Sequence, residues 1–230
     1  MQSSVLILAA VLGLRHGVDP DHLAAIDGLA RVNQSPWNGA LFALGHGLVV
    51  TLLAIGVGRL QRGVLEPFSP WLLITIGLVS LWRLFRPAPA SRNRPFWNAG
   101  PLLVGIVFAA GFETASQLSA LVLADRNNAL YLGATFTAGM LVVDGIDGFL
   151  AARTQRSVLT GHPRAEVAGR LLGGVVVATS FAIGGSQLLG QDMSAITAPL
   201  GLALFAIVIG LRFWSRGGPT STPVEPPEPA

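Results

Sequence analysis

Between two apolar runs, Val5 to Leu14 and Leu23 to Ile26, the chain places Arg15-His16-Gly17-Val18-Asp19-Pro20-Asp21-His22. Ionisable side chains inside hydrocarbon cost several kcal/mol and mark functional sites. Neutral imidazole is the commonest transition-metal ligand, and Asp19 and Asp21 add oxygen donors. His16 and His22 are six residues apart, which puts them on different faces of a straight helix. Pro20 removes a backbone donor and clashes one turn back, so a break at Gly17–Pro20 is predicted, and it turns both histidines toward one cavity. His46, in Leu44-Gly45-His46-Gly47, lies between glycines that let another helix approach closely. The candidate ligands are therefore His16, Asp21, His22 and His46, with Arg15 and Asp19 beside them. A nitrogen and oxygen donor set without sulfur suits nickel, cobalt or zinc better than copper(I).

Other polar groups fall inside apolar runs. Glu113, Thr114, Ser116 and Gln117 form one group, with Glu113 a candidate ligand or proton acceptor. Asp144 and Asp147, three apart, share a helix face. The two aspartates could orient the histidines, carry protons, or pair with Arg15. Asp27 lies four residues before Arg31, the spacing of a helical ion pair. His162, beside Pro163, reads as a solvated loop residue.

The elements that position these groups are membrane spans. The chain has 230 residues, 51% of them hydrophobic and 12% charged, and no cysteine. Disulfides and thiolate metal sites are excluded. No lysine occurs and the arginines gather at the ends of apolar runs, so the basic balance signals topology rather than a nucleic-acid surface. The N-terminus has no basic n-region and does not read as a cleavable signal. The expectation is an all-α polytopic membrane protein with about seven spans, near residues 4–31, 38–60, 70–85, 101–124, 129–152, 166–189 and 194–214. Residues 1–216 would form one transmembrane transporter domain, and residues 217–230 a disordered Pro-rich tail.

With the N-terminus outside, eleven of the fifteen arginines fall on the inner side, among them Arg31, Arg83, Arg153, Arg156, Arg170 and Arg212. Positive residues favour the cytoplasmic side, so the expected topology is N-out and C-in, multi-pass, in the cytoplasmic membrane. An internal repeat is also visible. His22-Leu-Ala-Ala-Ile26 is similar to Gln117-Leu-Ser-Ala-Leu121, and Phe42-Ala-Leu-Gly45 to Phe136-Thr-Ala-Gly139. The first and fourth spans would cross in opposite directions, giving a three-plus-three inverted repeat with a seventh helix added. Such repeats place substrate sites at mid-membrane, on broken helices.

These residues closely resemble the nickel/cobalt transporter family (NiCoT). Its signature, His, four residues, then Asp-His, matches His16, Asp21 and His22, and RHGVDPDHLAAIDGLAR at 15–31 is similar to the family's RHAVDADHIAAIDNVTR. LGHGLVV at 44–50 is similar to LGHSTVV, and GFETASQ at 111–117 to GFDTATE. GMLVVDGIDG at 139–148 is similar to a family segment with two acidic residues followed by glycine. Gly47 and Leu48 replace a hydroxyl pair, Gln117 a carboxylate, and Gly145 a threonine.

The resemblance implies high-affinity secondary transport of Ni2+ or Co2+, with the first signature essential for metal handling. The metal is then substrate; no cofactor is expected. Expected partners are the ion, membrane lipid, and a cytoplasmic metallochaperone or nickel-enzyme maturation factor, not nucleic acid. Asp19, Asp27, Glu113, Asp144 and Asp147, with Arg15 and the Thr114, Ser116 and Gln117 side chains, are expected around the site or along the path. No nucleotide-binding motif or HExxH pattern is present, so neither ATP hydrolysis nor metalloenzyme activity is expected. The alternatives are export by the same site, or an accessory membrane protein for nickel-enzyme maturation. Related exporters carry histidine-rich loops, and only His162 lies outside the spans here, which favours uptake.

Overall fold

The computed structural model describes residues 2–54, 69–85, 99–111, 129–191 and 194–215. Among them are eight helices and no strand: α1 (Gln2–Gly17), α2 (Pro20–Val32), α3 (Asn38–Ala54), α4 (Ser69–Leu84), α5 (Gly100–Gly111), α6 (Ala129–Leu159), α7 (Pro163–Leu188) and α8 (Ser194–Trp214). By length and composition, α6 and α7 can each cross a bilayer, and the remaining apolar helices are shorter.

The first expected span is two helices. α1 stops at Gly17, where Val18 N–H donates to Arg15 O and Asp19 N–H to His16 O. Asp19 is extended (φ −63°, ψ 144°), and Pro20 opens α2 in its first turn. Proline fits there because its missing N–H is one that a helix start leaves unpaired. At the other end, α6 runs seven residues beyond the expected boundary at 152 and meets α7 through a turn at Thr160–His162. Gly161 takes φ +74° in that turn, a conformation that side chains with a Cβ rarely adopt.

Glycines set the helix spacing. A Cβ on Gly13 of α1 would collide with the Phe136 carbonyl of α6, and one on Gly139 of α6 with the Ala10 carbonyl of α1. The same reciprocal arrangement joins α3 and α5: Gly45 meets the Leu102 carbonyl, and Gly105 the Phe42 carbonyl. α3 and α6 run antiparallel along one seam, because Gly39 meets Asp144, Gly47 meets Thr137, and Gly133 meets Thr51. Small residues that let backbones touch are how helices associate where hydrophobic burial gives no driving force.

Polarity is inverted relative to a water-soluble bundle. Ile7, Leu48, Leu103, Ile146 and Leu202 are all more than half exposed, whereas His22, His46, Asn38, Asp144, Asp147 and Arg212 are at most 1% exposed. Two apolar clusters flank these polar groups, one around Ala43, Phe136 and Met140, the other around Ile26, Phe42 and Phe108.

Candidate metal centre

Three histidines converge where α1, the break, α2 and α3 meet. His16 closes α1, His22 lies in the first turn of α2, and His46 is mid-α3 between its two glycines. His16 is 6% exposed and the other two are fully buried. One ring nitrogen from each lies within 4.8 Å of the others. The break makes this possible: on a continuous helix six residues turn the chain through 600°, leaving His16 and His22 on different faces, whereas here their ring centroids are 4.4 Å apart.

Carboxylates fix two of the rings. Asp19 Oδ2 accepts from His16 Nδ1 at 2.8 Å, and Asp144 Oδ2 accepts from His22 Nδ1 at 3.0 Å. A carboxylate only accepts, so the proton sits on Nδ1 in both rings and the lone pair on Nε2. Carboxylate-oriented imidazoles of this kind are common around bound metals, where the second partner sets tautomer and ring angle. Gly17 gives Asp144 its room, since a Cβ there would lie 3.2 Å from Asp144 Oδ1 and 2.9 Å from Val143 Cβ.

The Nε2 atoms of His16 and His46 are 3.1 Å apart. An imidazole–metal bond of about 2.0–2.1 Å puts neighbouring donors roughly 3 Å apart, so this pair already has the spacing of two ligands to one ion. His22 Nε2 and His46 Nδ1 are buried without a hydrogen-bond partner, a loss of about 1–3 kcal/mol each that a bound cation would offset at His22. Phe42 packs edge-on against His22 at 5.0 Å, and Phe136 lies 5.7 Å from His16, which keeps the surroundings apolar.

The remaining sequence candidates separate. Asp21 is buried in the first turn of α2, a favourable place for negative charge, but its oxygens are not part of the converging donor set. Arg15 is exposed, and the Asp19 carboxylate goes to His16. Asp27 pairs with Arg31 at 2.6 Å, as the four-residue spacing predicts. Asp147 pairs with Arg212, not with Arg15. His162 starts α7 and bonds Thr160 at 3.0 Å. Glu113, Thr114, Ser116 and Gln117 lie outside the described residues.

Arg212 is the residue that sequence reasoning missed. Counted with the inner-side arginines, it is instead 1% exposed and reaches both Asp147 and Asp27. Its one sequence signal is a lone charge in an apolar run, the same signal that marks the histidines. Arg31, Arg83 and Arg156 also donate to backbone carbonyls, of Gly169, Arg31 and Gln34, so they brace the C-terminal end of α2.

A family model of high-affinity nickel-transport proteins matches residues 3–87, the stretch that holds all three converging histidines. The chain is 31% identical to the hydrogenase nickel incorporation protein HupN of Bradyrhizobium diazoefficiens, over 80% of this chain and 63% of that protein. It is 28% identical to the nickel transporter NicT of Mycobacterium tuberculosis, over 80% of this chain and 66% of that one. A shorter match, 46% identical over 22% of this chain and 16% of the relative, is to the cobalt transport protein NhlF of Rhodococcus rhodochrous. The chain thus spans somewhat under two thirds of the length of HupN and NicT. No solved structure matches it. The motif resemblance and these matches agree, and the chain is similar to nickel and cobalt transport proteins.

Proposed function

We propose that this protein is a secondary transporter that takes up Ni2+ or Co2+ across the cytoplasmic membrane. The carrying observation is the buried convergence of His16, His22 and His46, two of them held by carboxylates. In this reading the three imidazoles bind the ion through nitrogen. Asp21 adds negative charge beside them, and Asp19 and Asp144 orient His16 and His22. The ion is substrate, so the set must release it, and three neutral ligands hold a dication less tightly than a closed thiolate cage.

Several observations support a multi-pass membrane placement with the N-terminus outside. The outward faces are apolar, and a bundle this apolar outside would aggregate in water. Ten arginines remain on the inner side once Arg212 is counted as buried, eleven less one. The antiparallel α3–α6 seam agrees with the expected directions of the second and fifth spans. The inverted repeat is supported by the paired glycine crossings. α1 meets α6 through Gly13 and Gly139 as α5 meets α3 through Gly105 and Gly45, and Gly45 and Gly139 occupy matched positions in the two sequence repeats.

Inward movement of a dication gains about 4–5 kcal/mol per 100 mV of membrane potential, twice the unit-charge value. A relative's name ties it to hydrogenase nickel incorporation. We extend that destination to this chain, with a metallochaperone or maturation factor as cytoplasmic partner. The test is radioactive nickel uptake into cells expressing the chain, against His22→Ala at matched membrane abundance. Accumulation above an empty-vector control that vanishes in the variant is expected. Accumulation below that control would indicate export.

A further inference from the structure

One helical turn past the histidines, toward the C-terminal ends of α2 and α6, lies a second polar centre. Asp147 follows Asp144 by three residues, about 4.5 Å along α6. Arg212, from α8, donates to the Asp147 carboxylate and to its backbone oxygen, and lies 3.5 Å from Asp27 Oδ1. Arg31 holds the other Asp27 oxygen at 2.6 Å. One guanidinium thus ties α8 to both α2 and α6, which the His22–Asp144 contact already joins at the histidine centre. α8 also touches the break itself. A Cβ on Gly201 would lie 2.8 Å from Val18 O and 3.3 Å from Pro20 Cδ. The helix therefore lies along α2 from the break beside the histidines to Asp27.

We propose that Arg212 is the latch of a gate: its guanidinium holds α8 over α2 and α6 and closes the way past the histidines, and it must leave Asp147 and Asp27 for an ion to move on. The proposal rests on the transport reading for what passes, but not for the latch itself. Charge supports it. Two carboxylates match one divalent ion, and a dication entering from the histidines meets them already neutralised by Arg212 and Arg31. Asp147 Oδ2 is fully buried and has no hydrogen-bond partner, so the carboxylate keeps an acceptor that the guanidinium does not use. Beyond the latch the buried face of α6 passes Leu150, Ala151 and Ala152 and then turns polar again. Thr154 and Gln155 form that part, and the Gln155 amide nitrogen is also without a partner. A buried ion pair contributes little net stability over apolar packing, and a two-state contact is the use that fits its position.

The absence of cysteine makes the test clean. Ala24, 2% exposed, shares the α2 face of Pro20 and Asp27, which puts it in the α2–α8 seam on the histidine side of the latch. Ala24→Cys in purified protein in lipid nanodiscs should react slowly with a membrane-impermeant thiol reagent. Adding Arg212→Gln should raise the rate about tenfold or more, because breaking a buried ion pair shifts a closed–open equilibrium by at least that factor. The Asp147→Asn, Arg212→Gln double variant leaves no carboxylate at position 147 without its cation, and should label as fast while remaining monodisperse. Nickel should speed labelling in the Ala24→Cys parent but not with His22→Ala. Unchanged labelling in both Arg212 variants, with both folded, overturns the latch. Faster labelling in those variants with no nickel effect and no uptake leaves the latch standing and rejects the transport reading.

Discussion

Asp144 holds His22 from 122 residues away, and its effect should appear in metal affinity. Asp144→Asn keeps the shape but can turn an amide N–H toward His22 Nδ1, releasing the ring to the other tautomer. Loss of such an orienting partner typically costs about 10–100-fold in metal affinity. Calorimetric titration of nickel into purified variant should show that weakening with folding intact, whereas an unchanged affinity would remove Asp144 from the site. At this scale the sequence was most informative about His16 and His22, which converge with His46, whereas Asp21, in the same seven residues, is not part of the converging donor set. It could not choose among three roles for Asp144 and Asp147. Their partners, His22 and Arg212, come from distant parts of the chain, and no spacing rule reaches that far. Arg212 was misread because a charge at the end of an apolar run has two explanations, side marking and internal pairing, and burial alone separates them.

Among the elements, the break between α1 and α2 was legible from Gly17 and Pro20, since proline's missing donor is a local fact. The extension of α6 to Leu159 was not. Arg153, Thr154, Gln155 and Arg156 read as a loop by polarity, yet Thr154 and Gln155 are buried, and Arg156 bonds the Gln34 carbonyl. Polarity there reflects an internal polar face rather than the end of a helix. The glycine crossings yield a prediction at this scale. Gly139→Val would drive a side chain into the α1 backbone at Ala10. Overpacking of this kind costs about 1–3 kcal/mol or more. Gly145→Ala, where a Cβ meets nothing within 4 Å, should be neutral. Thermal unfolding of the two detergent-solubilised variants should show a clearly lower midpoint for Gly139→Val alone. Equal midpoints would mean that α1 and α6 do not pack this closely.

For the whole molecule, composition and arginine placement pointed to a membrane bundle, while the way its helices fit together is visible only in the fold. Metal affinity should depend on pH in a defined direction. The ligating imidazoles must be neutral, so protons compete with the ion, and nickel binding should weaken as pH falls. Titration at several pH values checks this, and tighter binding in acid would contradict ligation by histidine. Transport should also follow the membrane potential, accelerating as the inside becomes more negative. The most direct measurement joins site and direction: nickel uptake by purified protein in vesicles under an inside-negative potential, with His22→Ala alongside. Uptake by the protein alone, lost in the variant, is the predicted result. Equal uptake by both proteins, or none by either with nickel or cobalt, would contradict transport through the three-histidine centre.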